Sequence, residues 1–393
     1  YKMKNSKKIK SNFPDRKYQI CKRCVMDTSD KLIQFDSNGI CNHCRDYLDK
    51  RLSVTAYKKQ DKYALEHLFE RVRMLRSPNS KYDAAIGISG GTDSSMVAYL
   101  ASKAGLKVLA IHMDNCWDSP IAAKNIKNLI SLPGIDYYCK PLIWNKFKKI
   151  QRAFLESGLP DIDLPTDSAI ISTVYRVANL FNIKVLLSGG NIANEGILPS
   201  SWMYNPKDSL FVNSVLKKAG LHPEIMSDIK YGLKLDIKYR FFDTIKTFYP
   251  LNKFKYDKRN ARKILEKEIN WESPIRKHAE SIYTEFNQFI YMPIKHNADY
   301  RRAHLSQDII LNRISRKEAL NILENSAYSH IDTDYYIAFV AQKLGYSVKE
   351  LKIIINKPPL WYVDFPNREK LLNTIYNLFR LVTKRKLSST WWG

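Results

Sequence analysis

Apolar and polar positions along the chain change their period twice. Between 57 and 76, Tyr63, Leu65, Leu68, Phe69, Val72 and Leu75 recur at helical spacing. Ser77, Pro78, Asn79 and Ser80 then break the pattern. From 82 to 190, short apolar runs alternate with helical stretches. Ala84–Ile88 reads as a strand and Thr92–Lys103 as a helix. Val108–His112 is a second strand, Pro120–Ile130 a second helix and Ile135–Cys139 a third strand. Ser168–Phe181 is again helical, and Val185–Ser188 a further buried strand. Alternation of this kind predicts an α/β fold, a parallel sheet with helices on both faces. Ligands then bind outside the carboxyl ends of the strands, where Gly90-Gly91 and Gly189-Gly190 fall. Beyond about 235 the pattern is mostly helical, with capping boxes at Ser315-x-x-Glu318 and Ser347-x-x-Glu350.

The expected organisation is a basic lead-in at 1–17, a cysteine module at 18–56, a linking helix at 57–80, the sheet domain at 81–240 and a helical region at 241–393. At 393 residues, 45% hydrophobic and 26% charged, the composition is that of a folded multidomain chain. No run of about 18 apolar residues occurs, so no membrane span is expected. The basic stretch Lys2 to Lys17 lacks a following apolar run, so it does not read as a secretory signal. Lys and Arg number 64 against 39 Asp and Glu, a net charge of +25. Two readings stay open: a polyanionic partner, or a composition rich in Lys, Ile, Asn and Tyr. The basic residues are spread along the chain rather than gathered in one arm, which weighs against nucleic acid.

Ser89-Gly90-Gly91-Thr92-Asp93-Ser94-Ser95 follows a buried strand and opens a helix. Two glycines let the backbone approach a ligand, and N–H groups at a helix N-terminus face an anion. The hydroxyls of Ser89, Thr92, Ser94 and Ser95 add donors, and Asp93 fits as a metal ligand or an orienting group. A Walker loop is excluded because no lysine follows the glycines. Gly87-Ile88-Ser89-Gly90-Gly91 also matches the hydrolase elbow GxSxG, with Ser89 as nucleophile and His304 as a formal partner. The Thr-Asp-Ser-Ser continuation favours the phosphate cradle.

Cys21-x-x-Cys24 and Cys41-x-x-Cys44 have zinc-ribbon spacing, and a four-thiolate site is structural. His43 between the ligands reads as a solvated loop residue. Cys116 and Cys139 read as buried small hydrophobes.

The SGGxDS signature resembles the PP-loop ATP pyrophosphatase superfamily, whose members split ATP between the α and β phosphates. That resemblance implies an adenine-nucleotide α-hydrolase-like fold and assigns Ser89, Gly90, Gly91, Thr92, Asp93, Ser94 and Ser95 to pyrophosphate and Mg2+, with Ser89, Asp93 and Ser94 catalytic. His112, Met113 and Asp114 would lie near the adenosine, and Gly189, Gly190 and Asn191 would close the other side of the nucleotide. Adding CKRCVMDTSD…IQFDSNGICNHC, HMDNCWDS, and the words Tyr300–Ser306 and Ile314–Leu320, the chain resembles the N-acetyl sugar amidotransferases of bacterial surface-polysaccharide biosynthesis over residues 20–325. This implies a cytoplasmic, AMP- and pyrophosphate-forming ligase that turns a sugar N-acetyl group into an acetamidino group, as in O-antigen lipopolysaccharide. It also implies ammonia from a partner glutaminase subunit, with a cyclase-like channel subunit as a further candidate partner. The expected substrate is an acidic or nucleotide-linked N-acetyl sugar, with Arg301, Arg302, Lys295 and His304 as candidate contacts. Where the pattern expects Gly-Glu-Asn the chain has Gly189-Gly190-Asn191, so Glu195 stands in for the carboxylate. The last ~65 residues match no known word. A second reading is a tRNA-modifying PP-loop enzyme, a thiolase or lysidine-type ligase; a third is a non-catalytic scaffold.

Overall fold

A computed structural model describes residues 16–52, 61–242, 244–273, 280–325 and 332–383. Most of the basic lead-in and the start of the linking helix lie outside these residues. Five parallel strands form one sheet: β1 (Ala84–Gly87), β2 (Val108–Asp114), β3 (Ile135–Pro141), β4 (Val185–Leu187) and β5 (Lys246–Phe248), in the order β3-β2-β1-β4-β5. Ala85 of β1 pairs with Leu109 on one side and Leu186 on the other. The chain runs outward from β1 first through β2 and β3, then returns to β4 on its other edge. The reversal opens a crevice between the ends of β1 and β4, the topological position where open α/β sheets bind ligands.

β1, β2 and β4 are buried on both faces, as their near-continuous apolar runs require, while the edge strands β3 and β5 are more exposed. Ala84, Ile86, Val108, Ala110, Val185 and Leu187 face one layer of helices. That layer contains α1 (Ala64–Met74), α2 (Thr92–Lys103) and α3 (Pro120–Leu129). Ala85, Leu109, Ile111 and Leu186 alternate with them and face the opposite layer, where Ile171, Tyr175 and Ala178 come from a long helix, Leu164–Leu180. Trp144–Ser157, α4, precedes that helix, α5. The sequence pattern does not single out α4, although its end carries the left-handed Gly158 that stops many helices. Nor does it predict β5. Three residues, Lys246-Thr247-Phe248, are too short to show a period, and only pairing with Val185–Leu187 makes them a strand.

Lys258–Ile269 forms α6, which buries Ala261, Leu265 and Ile269 in the same layer as α2. Beyond it the chain is helical: α7 (Arg301–Ile310), α8 (Arg316–Glu324), α9 (Thr333–Leu344), α10 (Val348–Asn356) and α11 (Glu369–Thr383). Both expected capping boxes, at Ser315 and Ser347, are formed. Phe286, Ile290, Leu344, Leu351 and the four N-terminal cysteines share one apolar core. Among the described residues no helix is long and apolar enough to cross a membrane.

Candidate functional site

The bend after β1 is shaped by its glycines. Gly90 has φ +75°, and a Cβ there would stand 2.5 Å from the Ala122 carbonyl oxygen of α3. A Cβ on Gly189, after β4, would stand 2.8 Å from the Ser94 backbone nitrogen. Only residues without a side chain let the two strand ends and the start of α2 approach so closely. Gly91 occupies the cap position of α2 and supplies no side-chain acceptor. The first N–H groups of α2 are therefore left for a ligand rather than closed by the chain itself. Ser94 Oγ donates to the Gly91 carbonyl at 3.2 Å and Gly91 N–H donates to Ser89 Oγ at 3.4 Å, which stiffens the turn. Ser89 is not among the non-glycine residues with positive φ, so the strained nucleophile turn of a hydrolase elbow is not formed.

Asp93 is held from three sides. Tyr256 OH donates to its Oδ1 at 2.5 Å, Asn191 Nδ2 donates to Oδ1 at 3.3 Å, and Lys258 Nζ lies 3.0 Å from Oδ2. Burial pulls the Lys258 pKa down, but the charges of Asp93 and then Glu280 outweigh it and hold the ammonium above its ordinary value. Arg262 Nε reaches Thr92 Oγ1 at 3.4 Å. Lys258 and Arg262, one turn apart at the start of α6, are the cations that sequence reading missed. The signal was there in the run Lys258-Arg259-Asn260-Ala261-Arg262, but α6 is separated from the bend by more than 150 residues. Glu280 also lies at the bend, since a Cβ on Gly91 would stand 2.7 Å from its Oε1. A phosphate-bound Mg2+ needs only one or two carboxylates, so Asp93 and Glu280 fit that ion.

From the bend a cavity of about 440 Å³ runs across the carboxyl ends of β1, β2 and β4. Its apolar part is made by Ile111, Ile170, Ile171, Val174 and Leu186. Ser89, His112, Met113, Gly189, Gly190, Glu195 and His304 also line it. His112 is locked in place, Nδ1 3.1 Å from the Ile88 carbonyl and Nε2 2.8 Å from Asp118 Oδ2. Burial lowers its pKa, and the hydrogen bond and charge of Asp118 raise it by more. Asp114 accepts from the Cys116 N–H at 2.7 Å at the end of β2. The far wall comes from two segments, Asp161–Asp167 at the start of α5 and Thr284–Gln288. Neither stands out in the sequence, though Asp161-Ile162-Asp163-Leu164-Pro165 combines acids with a proline at a helix start.

Other sequence-chosen residues lie elsewhere. Arg301 forms a two-pronged pair with Asp299 at 2.7–3.1 Å and donates to the Ile322 and Asn325 carbonyls. Arg302 pairs with Asp27 at 3.0 Å and donates to the Val25 carbonyl. Lys295 donates to the Ile354, Ile355 and Lys357 carbonyls. These three cations hold the helical region to itself and to the cysteine module, and none of them lines the cavity.

The cysteine module is closed around its sulfurs. Cys21 and Cys44 Sγ are 3.9 Å apart, Cys24 and Cys41 Sγ 3.7 Å, and all four lie within 4.8 Å of one another. Zn–S bonds of ~2.3 Å place tetrahedral sulfurs ~3.8 Å apart, so the cluster is compatible with structural zinc. Backbone N–H groups of Cys24 and Cys41 donate to Cys21 Sγ, as expected around thiolates. His43 is not a solvated loop residue. Its Nε2 lies 2.6 Å from the buried Asp30, which in turn accepts from Ser201 Oγ. Cys116 and Cys139 are exposed, not buried. Cys116 sits past the end of β2 with φ +65°, and Cys139 lies on the edge strand β3, where no further strand covers it.

Residues 280–382 match the family model described as LPS biosynthesis protein WbpG-like, C-terminal domain, and residues 65–156 match that of NAD synthase. The first covers the helical region, including most of the last ~65 residues that matched no known word. The second covers the bend and its strand–helix frame. The chain thus joins a PP-loop domain of the NAD-synthase kind to a WbpG-like C-terminal domain. Together the two matches support an ATP-utilising PP-loop enzyme of lipopolysaccharide biosynthesis. No curated protein matches it. Among solved structures it is similar to NMN synthetase from Francisella tularensis, at 15% identity over 64% of this chain and 95% of that one, TM-score 0.31. It is also similar to NH3-dependent NAD synthetase from Campylobacter jejuni subsp. jejuni, at 17% identity over 52% and 87%, TM-score 0.28. At such TM-scores the likeness to these structures carries no argument.

Proposed function

We propose that the chain is an ATP-dependent amidotransferase that converts the N-acetyl group of a sugar, free or nucleotide-linked, into an acetamidino group during surface-polysaccharide synthesis. The observation that carries this reading is one continuous cavity, with a phosphate cradle at one end and buried polar groups at the other. A cradle alone would suit any nucleotide-splitting enzyme. The polar far wall calls for a polar second substrate within reach of the α-phosphate.

An amide carbon is a weak electrophile and its oxygen leaves poorly. Attack of that oxygen on the α-phosphorus of ATP gives an O-adenylyl imidate and releases pyrophosphate. The N–H groups that Gly91 leaves uncapped, with Lys258 and Arg262 behind Asp93 and Thr92, face the charge that develops as pyrophosphate departs. Mg2+ beside Asp93 and Glu280 would neutralise the phosphates. Ammonia then displaces AMP at the imidate carbon. Ammonia is scarce as the free base at neutral pH, and a glutaminase partner in the cytoplasm would supply it.

The tRNA-thiolase reading loses support at its thiols. Burial, and then the Asp114 charge, push the Cys116 pKa up, the opposite of what an attacking thiol needs. The decisive test is mass spectrometry of candidate N-acetyl sugars incubated with the protein, ATP, magnesium and ammonium. The expected product carries NH in place of one oxygen and appears with stoichiometric AMP and pyrophosphate. ATP splitting that leaves every N-acetyl sugar unchanged, while a tRNA is modified, would overturn it.

A further inference from the structure

The far wall of the cavity is unbalanced in its hydrogen bonding. Asp161 Oδ2, Asp163 Oδ1, Asn287 Oδ1 and Gln288 Oε1 are buried acceptors with no partner, and the Thr166 hydroxyl beside them, orphaned too, can donate as well as accept. The five residues are only 6%, 9%, 5%, 4% and 7% exposed, and all line the cavity. Buried polar atoms are ordinarily satisfied, so five orphaned oxygens on one wall mark the place of a ligand. Against them the same wall offers one orphaned N–H donor, Trp202 Nε1. The ligand must therefore bring donors. Lys207, the lysine on the cavity wall, is engaged by Asp236 at 3.3 Å. Asp163 Oδ2 is already used by Thr284 Oγ1 at 2.6 Å, which fixes the carboxyl and turns its other oxygen to the wall. A sugar ring presents donors and acceptors in similar numbers and would leave this wall half satisfied. An ammonium ion presents four N–H donors and no acceptor, and an amidinium presents a planar fork of N–H groups that matches a carboxylate.

We infer that Asp161, Asp163, Thr166, Asn287 and Gln288 form a cation subsite that receives the ammonium nitrogen source and holds the amidinium product. This inference rests on the amidotransferase reading. The chemistry balances. An Asp161 or Asp163 carboxylate takes one proton from NH4+, giving NH3 and a carboxylic acid. The NH3 lone pair forms the N–C bond to the imidate carbon, and the C–O bond breaks with its electrons leaving on AMP. The carboxylic acid passes its proton to the departing AMP phosphate, and the amidinium left behind carries one positive charge that faces the two carboxylates.

The test uses the full chain with small probes in a thermal-shift titration. Acetamidinium chloride and ammonium chloride are compared with the neutral isostere acetamide, and with tetramethylammonium and sodium chlorides at equal ionic strength. Acetamidinium is expected to raise the melting temperature saturably in the wild-type protein, and acetamide is not. In the Asp161→Asn, Asp163→Asn double variant the apparent Kd for acetamidinium should rise at least tenfold, with the shift given by ATP and magnesium unchanged. Equal shifts from acetamide and acetamidinium in the wild type would overturn the proposal without any variant. So would a folded double variant that binds acetamidinium as tightly as wild type. If acetamidinium binds as expected but no sugar gains nitrogen, the reaction reading falls and the cation site stands. If product forms with no preference for acetamidinium, the site falls and the reaction stands.

Discussion

Lys258 Nζ lies 3.0 Å from Asp93 Oδ2, joining the start of α6 to the start of α2 across 165 residues of sequence. Both side chains are largely buried, so neither charge is well served by water alone. The pair places a cation behind the one carboxylate in the phosphate-binding bend. The charge of Asp93 thereby holds the Lys258 ammonium above its ordinary value at the mouth of the bend.

Asp93→Ala should abolish ATP-dependent pyrophosphate release while leaving zinc content unchanged. Lys258→Met should lower release at least a hundredfold and cost on the order of 1–2 kcal/mol of stability, since it leaves the largely buried Asp93 carboxylate with its Tyr256 and Asn191 hydrogen bonds but no cation. A coupled pyrophosphate assay and a denaturant titration read the two effects. Near-wild-type turnover in Lys258→Met would remove that residue from the phosphate site.

Gly189→Ala should separate nucleotide binding from stability. A Cβ there would stand 2.8 Å from the Ser94 nitrogen and 2.9 Å from the Asp93 carbonyl carbon, so the bend must move away. The Kd for ATP with magnesium, measured by isothermal titration, should rise tenfold or more.

Zinc should be needed for folding rather than for turnover. The four cysteines sit in the same core as Phe286, Ile290 and Leu351, and Arg316 donates to the Cys21 carbonyl at 2.9 Å and the Cys24 carbonyl at 3.0 Å. Cys21→Ser or prolonged chelation should therefore unfold the helical region along with the module. Arg316→Met should cost about 1–3 kcal/mol, by stranding those carbonyls, and should speed zinc release to a chromogenic chelator. A stable, fully active, metal-free protein would contradict this.

Stability should fall as pH rises through neutrality. Burial pushes the Asp163 carboxyl up to about 6, and burial together with the Asp163 charge pushes Asp161 up further. The start of α5 favours the charged forms by a few tenths to ~1 kcal/mol, which is too little to offset burial. A group that binds its proton more tightly when folded stabilises the fold at low pH and loses that contribution as pH rises through its folded pKa. Asp161→Asn should thus raise the melting temperature at pH 8, by the equivalent of about 2 kcal/mol, and change it little near pH 4. Thermal melts across that range check the slope. A variant less stable than wild type at pH 8 would mean the carboxylate is compensated in the fold.

The glycine bend after β1, the parallel sheet and the cysteine cluster were legible because each is written in neighbouring residues. Two adjacent glycines, a two-residue cysteine gap and a period in apolar positions are local statements, and backbone geometry or a metal's coordination converts each directly into structure. Only the tertiary structure decided which cations and acids meet at the site. Asp161–Asp167, Lys258 and Glu280–Gln288 reach it from three separate segments, while Arg301 and Arg302, inside a recognisable word, turn away to bind Asp299 and Asp27. The β5 strand and the exposure of Cys116 and Cys139 were decided in the same way. A side chain's charge is fixed by its residue type, but its partner is fixed by which helix the packing of the core sets beside it, and that packing is a property of the whole chain.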